Sequence, residues 1–150
     1  MHDIRYDEVN DEFLVVNPFA EAILTFRGGA DGQEEPIRTI QGPLTGEIGS
    51  RLDVDPINDE IFTYSGGSIK VYPREANGDA APIRVIEGPD TGLRSVNVVS
   101  VDPINDILVV GLNSDFGSSR SLFESPNAER GALLVFNRTD EGNVRPRAVI

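Results

Sequence analysis

The chain has no cysteine, a single histidine and a single lysine among its 150 residues. Without cysteine there is no disulfide framework, no thiolate metal site and no cysteine nucleophile, and the redox compartment stays open. His2, at the start of the chain, is poorly placed to serve a serine triad or act as a histidine general acid or base. Long apolar runs are missing too, so no segment could span a bilayer as a helix. The first twenty residues, MHDIRYDEVNDEFLVVNPFA, are acidic where a signal peptide needs a basic start and an apolar run. A periplasmic or extracellular address would therefore require that a leader has already been removed, and the expectation is a soluble protein. Positive charge is scarce: 13 basic against 25 acidic residues leave a net charge of −12, which repels a phosphate backbone and an anionic leaflet, so neither nucleic acid nor membrane is an expected partner. All basic residues but Lys70 are arginines, dispersed for local pairing rather than gathered into a patch. Amphipathic helical periodicity is absent as well.

What the chain does have is an echo. DPINDEIF at 55–62 returns as DPINDILV at 102–109, and DEVNDE at 7–12 is a fainter copy. Aligned on it, three units open with short strands ending in Asp7, Asp55 and Asp102. Asp caps the turn that follows, Pro56 and Pro103 preset φ for it, and Asn10, Asn58 and Asn105 are expected to take the left-handed position. The next segments, FLVVN, IFTYS and LVVGL, are β-branched and apolar enough for strands buried on both faces. Third strands follow at 22–26, 68–72 and 133–137, carrying Phe26, Tyr72 and Phe136. Ten residues beyond each aromatic stands a proline, Pro36, Pro82 or Pro146, preceded four residues earlier by Gly32, Gly78 or Gly142. Each proline opens a fourth strand at the edge of a small sheet, where a missing N–H costs nothing. Two linkers sharing Gly-Pro-x-Thr-Gly join the units.

Four short antiparallel strands per unit, repeated every 46–48 residues, predict an all-β protein and specifically a β-propeller, with a β-sandwich as the rival architecture. The predicted blades run over about 4–42, 52–88 and 98–150, the third interrupted by an insertion at 114–132. Units of the form DPxNDEIF…SIKVYPREANGDAAPIRVIEGPDTGL resemble the repeats of bacterial six-bladed propellers of the NHL and TolB-like kind, over essentially the whole chain. The resemblance implies a fold; members of that group include lyases, lactone hydrolases and proteins that only bind.

Propellers close with about four to eight blades, so three leave two sheet faces uncovered. Each would bury about 800 Å² in a standard interface, more than the 300–600 Å² patch a monomer commonly carries. Two chains joined head to tail would make a six-bladed homodimer; the competing expectation is a fragment of a longer polypeptide.

Candidate sites follow from the repeat. Arg5, Asp53 and Ser100 occupy one position on the inner strands; they either line a channel or pair between adjacent blades. Connections between second and third strands gather at the channel mouth, where loops carry function. There the insertion supplies Phe116, Arg120, Phe123 and Arg130, an aromatic and arginine mixture suited to anchoring a small molecule, a sugar or a protein, and the short equivalents supply Asn17 and Phe19. The insertion could equally serve as a lid or decoration. The Asp-x-x-Asn-Asp clusters could offer oxygens to calcium, but turn chemistry already accounts for each residue, so no cofactor and no metal ligand is assigned. The expected function is non-catalytic binding at the channel mouth; the alternative is a divalent-metal-dependent hydrolase or lyase of the lactonase-like type, as the resemblance allows.

Overall fold

The computed structural model describes residues 2–113 and 131–150. They form twelve strands in three four-stranded antiparallel sheets, with no helix among the described residues. The first sheet holds β1 (Asp3–Asp7), β2 (Glu12–Asn17), β3 (Ala22–Arg27) and β4 (Arg38–Ile40). The second holds β5 (Arg51–Asp55), β6 (Glu60–Ser65), β7 (Ser68–Pro73) and β8 (Arg84–Ile86). In the third are β9 (Val96–Asp102), β10 (Ile107–Leu112), β11 (Ala132–Asn137) and β12 (Ala148–Val149). Strand order within each sheet follows the chain.

The first hairpin of every sheet is built the same way. Asp7 Oδ1 accepts from the amides of Val9 and Asn10, each at 3.0 Å, and its Oδ2 accepts from Asn10 Nδ2 at 2.8 Å. Asp55 and Asp102 make the equivalent three bonds with Asn58 and Asn105 in their own turns. The asparagines are thereby committed to the carboxylate. Left-handed backbone falls instead on the next residue, Asp11, Asp59 and Asp106, with φ of 53°, 56° and 55°. This corrects the expected role of Asn: a short polar side chain was needed at both positions, and the hydrogen-bonding geometry decides which one turns.

β4, β8 and β12 lie at sheet edges, as the prolines require, but begin two residues after Pro36, Pro82 and Pro146. Proline has no donor, so the first rung comes from the residue after it: Ile37 N to Thr25 O, Ile83 N to Val71 O and Arg147 N to Val135 O, at 2.7–2.8 Å.

Two apolar cores join consecutive sheets. Leu14, Val16, Ile23 and Ile40 of the first sheet pack with Ile48, Leu52, Ile61 and Tyr72 of the second and its linker. Phe62, Ile69, Val71 and Ile86 on the opposite face of the second sheet pack with Val99, Leu108, Val110, Leu134 and Phe136. The sheets are also stitched at their edges. Gln41 N donates to Gly78 O and Gly78 N to Thr39 O; Glu87 and Val85 treat Gly142 alike. Each linker docks on the next sheet's outer hairpin, where Asp79 Oδ1 accepts from the amides of Leu44 and Thr45, and Asn143 Oδ1 from Asp90 N.

β2 and β6 are buried almost throughout, as expected of strands covered on both faces, whereas β10 alternates. Val109 and Ile107 on its other side are only partly covered, and among the described residues no third core lies there. No helix among the described residues is long and apolar enough to cross a membrane.

Candidate functional site

The first strands of the three sheets, β1, β5 and β9, carry Arg5, Asp53 and Ser100 at matching positions. Arg5 Nε donates to Asp53 Oδ1 at 3.2 Å, and Asp53 Oδ2 accepts from Val101 N at 2.8 Å. Asp3 likewise reaches across to Leu52 N at 3.2 Å while holding Arg5 Nη1 at 2.7 Å. Arg5 and Asp53 are therefore brought together as a bond between sheets, and Asp53 continues the link to the third sheet beside Ser100, which is exposed on β9. Pairing between adjacent units is thus observed at this position for Arg5 and Asp53.

At the turn between β2 and β3, Asn17 Oδ1 accepts weakly from Ala20 N at 3.4 Å. Phe19 is 86% exposed, its ring edge-on to His2 with centroids 5.4 Å apart. Phe116, Arg120, Phe123 and Arg130 lie outside the described residues. The end of the expected insertion at Ala132 is already the first residue of β11.

The Asp-turn carboxylates spend their oxygens on the turn itself, and Asn105 in particular holds the Asp102 carboxyl below its usual range. Among the described residues no group of three or more His, Asp or Glu side chains is arranged to hold a metal ion.

Repeat reading along each strand did not anticipate the buried ion clusters between sheets. Glu12 at the start of β2 is bonded by Arg38 from its own sheet, and by Arg74 Nη1 of the second sheet at 2.9 Å. One sheet on, Glu60 receives both terminal nitrogens of Arg84 at 2.7 Å and Arg138 Nη1 of the third sheet at 2.7 Å. Arg74 and Arg138 also donate through Nε to Asp59 and Asp106, each at 2.8 Å. Burial acts to lower the pKa of Arg138, but its carboxylate partners Asp106 and Glu60 outweigh that and the net direction is upward. The same position in the first sheet is Gly28, and Asp11 there accepts from the Tyr6 hydroxyl at 2.8 Å instead. That bond is the main reason the Tyr6 phenol is pushed above its ordinary pKa.

The two outer faces are the largest departures from this internal pattern. Ile4 is 58% exposed, whereas Leu52 at the same place in the second sheet is fully buried. Phe13 and Phe26 are partly covered where Ile61 and Tyr72 are sealed. Together with Val15, Ala30, Asp31, Gly32 and Glu34 these side chains line an open cavity of about 310 Å³. On the far side of the third sheet, Ile150 is 71% exposed and Leu133 41% exposed, while Ile40 and Ile23, near-equivalents in the first sheet, are buried.

No family model matches this chain, and no curated protein does.

Proposed function

We propose that this chain is half of a six-bladed β-propeller, completed by a second copy of itself, and that the closed ring is a non-catalytic scaffold binding its ligand at the channel mouth. The observation that carries the reading is the match between the two outer faces and the internal seams. At each internal seam an isoleucine, Ile40 or Ile86, bridges the next sheet's Gly78 or Gly142 and fills the space beside its aromatic. The first sheet's outer face keeps the hollow, lined by Ile4, Phe13, Phe26, Ala30 and Gly32. The third sheet's outer face keeps the knob, Ile150, held in register by paired backbone bonds with Leu133 at 2.9 Å. Knob and hollow sit at opposite ends of one chain, so they cannot meet within it unless further sheets intervene. Two chains related by a two-fold axis bring both pairs together at once.

The repeats' resemblance to NHL and TolB-like propellers agrees in number, three and three making six. A binding role is supported by how the inner strands use their charge: Arg5, Asp3 and Asp53 bond from sheet to sheet. At the β2–β3 end the Phe19 ring remains exposed beside a half-buried Asn17.

Light scattering on the purified chain tests closure. The expected mass is twice the 16.3 kDa of one chain, falling to one chain in Ile150→Asp with strand content intact. A folded, solitary particle at micromolar concentration would overturn the proposal.

A further inference from the structure

The seam between copies carries its own recognition code. Each internal seam is locked by a Glu held between two arginines: Arg38, Glu12 and Arg74 at the first, Arg84, Glu60 and Arg138 at the second. Two of the three come from the sheet ahead of the seam and one from the sheet behind it. At the outer faces all three positions are different. Where Glu12 and Glu60 stand, the third sheet has Ile107; where Arg38 and Arg84 stand, it has Ala148; and where Arg74 and Arg138 stand, the first sheet has Gly28.

We infer that these three replacements form one matched set, which makes the junction between copies apolar and restricts the third sheet's outer face to the first sheet of a second copy. The inference rests on the pairing proposed above and assigns its specificity.

The physics of buried charge demands that such a set change together. Removing one member of a buried ion cluster strands its partners without a counter-ion, whereas replacing the whole cluster by apolar groups is neutral or better. Gly28, Ile107 and Ala148 come from both sides of the prospective seam, and none of them leaves an orphan. The φ of Gly28 lies outside the left-handed region, but a Cβ there would lie 1.7 Å from Asp11 Oδ1 and 2.9 Å from Asp11 O, so a larger residue must displace Asp11, whose counterparts Asp59 and Asp106 turn to an arginine in the other two sheets. Of the charges that remain nearby, Asp31 is exposed at the hollow, and three others are answered within each chain. Asp102 keeps the amides of Ile104 and Asn105 and the Asn105 side chain, Asp11 has the Tyr6 hydroxyl, and Glu34 is clasped by Arg27 through two bonds of 2.5 Å. A following sheet of the internal type would bring an arginine against Ile107 in place of the glutamate that meets it at the internal seams. The outer faces are thus mismatched to the internal seams and matched to each other.

Two complementary variants test this. One chain carries Ile107→Glu with Ala148→Arg; the other carries only Gly28→Arg. Each alone sets charged side chains against an apolar partner face at both of its seams, so each is expected to pair at least 100-fold more weakly than the unmodified chain. Mixed in equal amounts they form one internal-type seam and one native seam, and native mass spectrometry should show the mixed pair recovering to within 10-fold of the unmodified affinity. All three changed positions have working precedents inside this chain, and circular dichroism confirms that each variant is folded. Should either fail to fold, Ile107→Gln, which buries an unanswered amide, is expected to weaken pairing at least 10-fold. Variants that pair with themselves as tightly as the unmodified chain, or an Ile107→Gln chain that pairs unchanged, would overturn the inference. So would folded variants that stay single when mixed. A solitary unmodified chain would instead overturn the pairing itself.

Discussion

Arg138 of the third sheet reaches back to Glu60 of the second with Nη1 2.7 Å from Oε2, across 78 residues of sequence, in a setting where both side chains are buried. Arg74 stands to Glu12 in the same relation at 2.9 Å. Packing of one sheet on the next is therefore held by charge as well as by apolar contact, and the two contributions respond differently to mutation.

Glu60→Leu should expose that difference. The change leaves Arg84 and Arg138 facing each other in a buried site without their shared carboxylate, at a cost of about 3–5 kcal/mol. Replacing all three, as Glu60→Leu, Arg84→Met and Arg138→Met, is expected to return stability to within about 1 kcal/mol of the original. Urea unfolding at fixed chain concentration measures both. Equal losses in the single and triple variants would mean that the ion cluster is not what the single change disrupts.

The Asp turn should be the most sensitive short motif. Asp55 is fully buried and accepts three hydrogen bonds, from Ile57 N, Asn58 N and Asn58 Nδ2. Asp55→Ala leaves those donors unanswered and is expected to cost about 3 kcal/mol, against about 1 kcal/mol for Asn58→Ala, which removes one. Thermal unfolding ranks them, and an equal or reversed order would show that the carboxylate is not the organiser of the turn.

These turns were the legible part of the chain, because every bond in them joins residues within a few positions and recurs three times. Strand number, hairpin order and the edge placement of β4, β8 and β12 follow from the same local pattern. What escaped was anything decided by geometry finer than that pattern or by neighbours in space. Asn58 and Asp59 are both fit for left-handed backbone, and only the bond to Asp55 assigns it to Asp59. The arginine clusters needed knowledge of which sheet lies beside which. A trace of them was nonetheless present in the aligned columns, where Gly28, Ile107 and Ala148 break a charged pattern together. For the inner strands, Arg5 and Asp53 were identifiable as a position, and as a pair only once β1 lay against β5.

Alkaline pH should loosen the first seam through Tyr72. Burial pushes its phenol up to about 12 from an ordinary 10, and its hydroxyl donates to Thr45 O at 2.8 Å. The native state thus holds the proton more firmly than the unfolded chain does. Its contribution is complete below pH 10 and is lost as pH rises from 10 towards 12, by about 1–2 kcal/mol. Tyr72→Phe gives up the hydrogen bond, about 1 kcal/mol at neutral pH, but should flatten the fall over that window. Parallel curves for the two proteins, followed by melting temperature from pH 8 to 11.5, would assign the alkaline loss elsewhere.

Linker docking makes a last, local prediction. Gly42 has a φ of 151°, and a Cβ placed there would lie 2.4 Å from Cγ of Asp79, whose carboxylate holds the linker amides of Leu44 and Thr45. Gly42→Ala therefore both strains the backbone and displaces the Asp79 side chain, at an expected cost of about 2–3 kcal/mol. Asp79→Ala forfeits the two amide bonds and removes the 2.4 Å contacts with Cγ and Oδ1 but keeps Cβ at 2.6 Å, so in the double variant the backbone strain and a reduced clash are added. The double loss should fall short of the sum of the single losses by about 1 kcal/mol, as expected for residues in contact. Strict additivity in chemical unfolding would mean that the added methyl group is accommodated without moving Asp79, and that the linker is held by something other than this carboxylate.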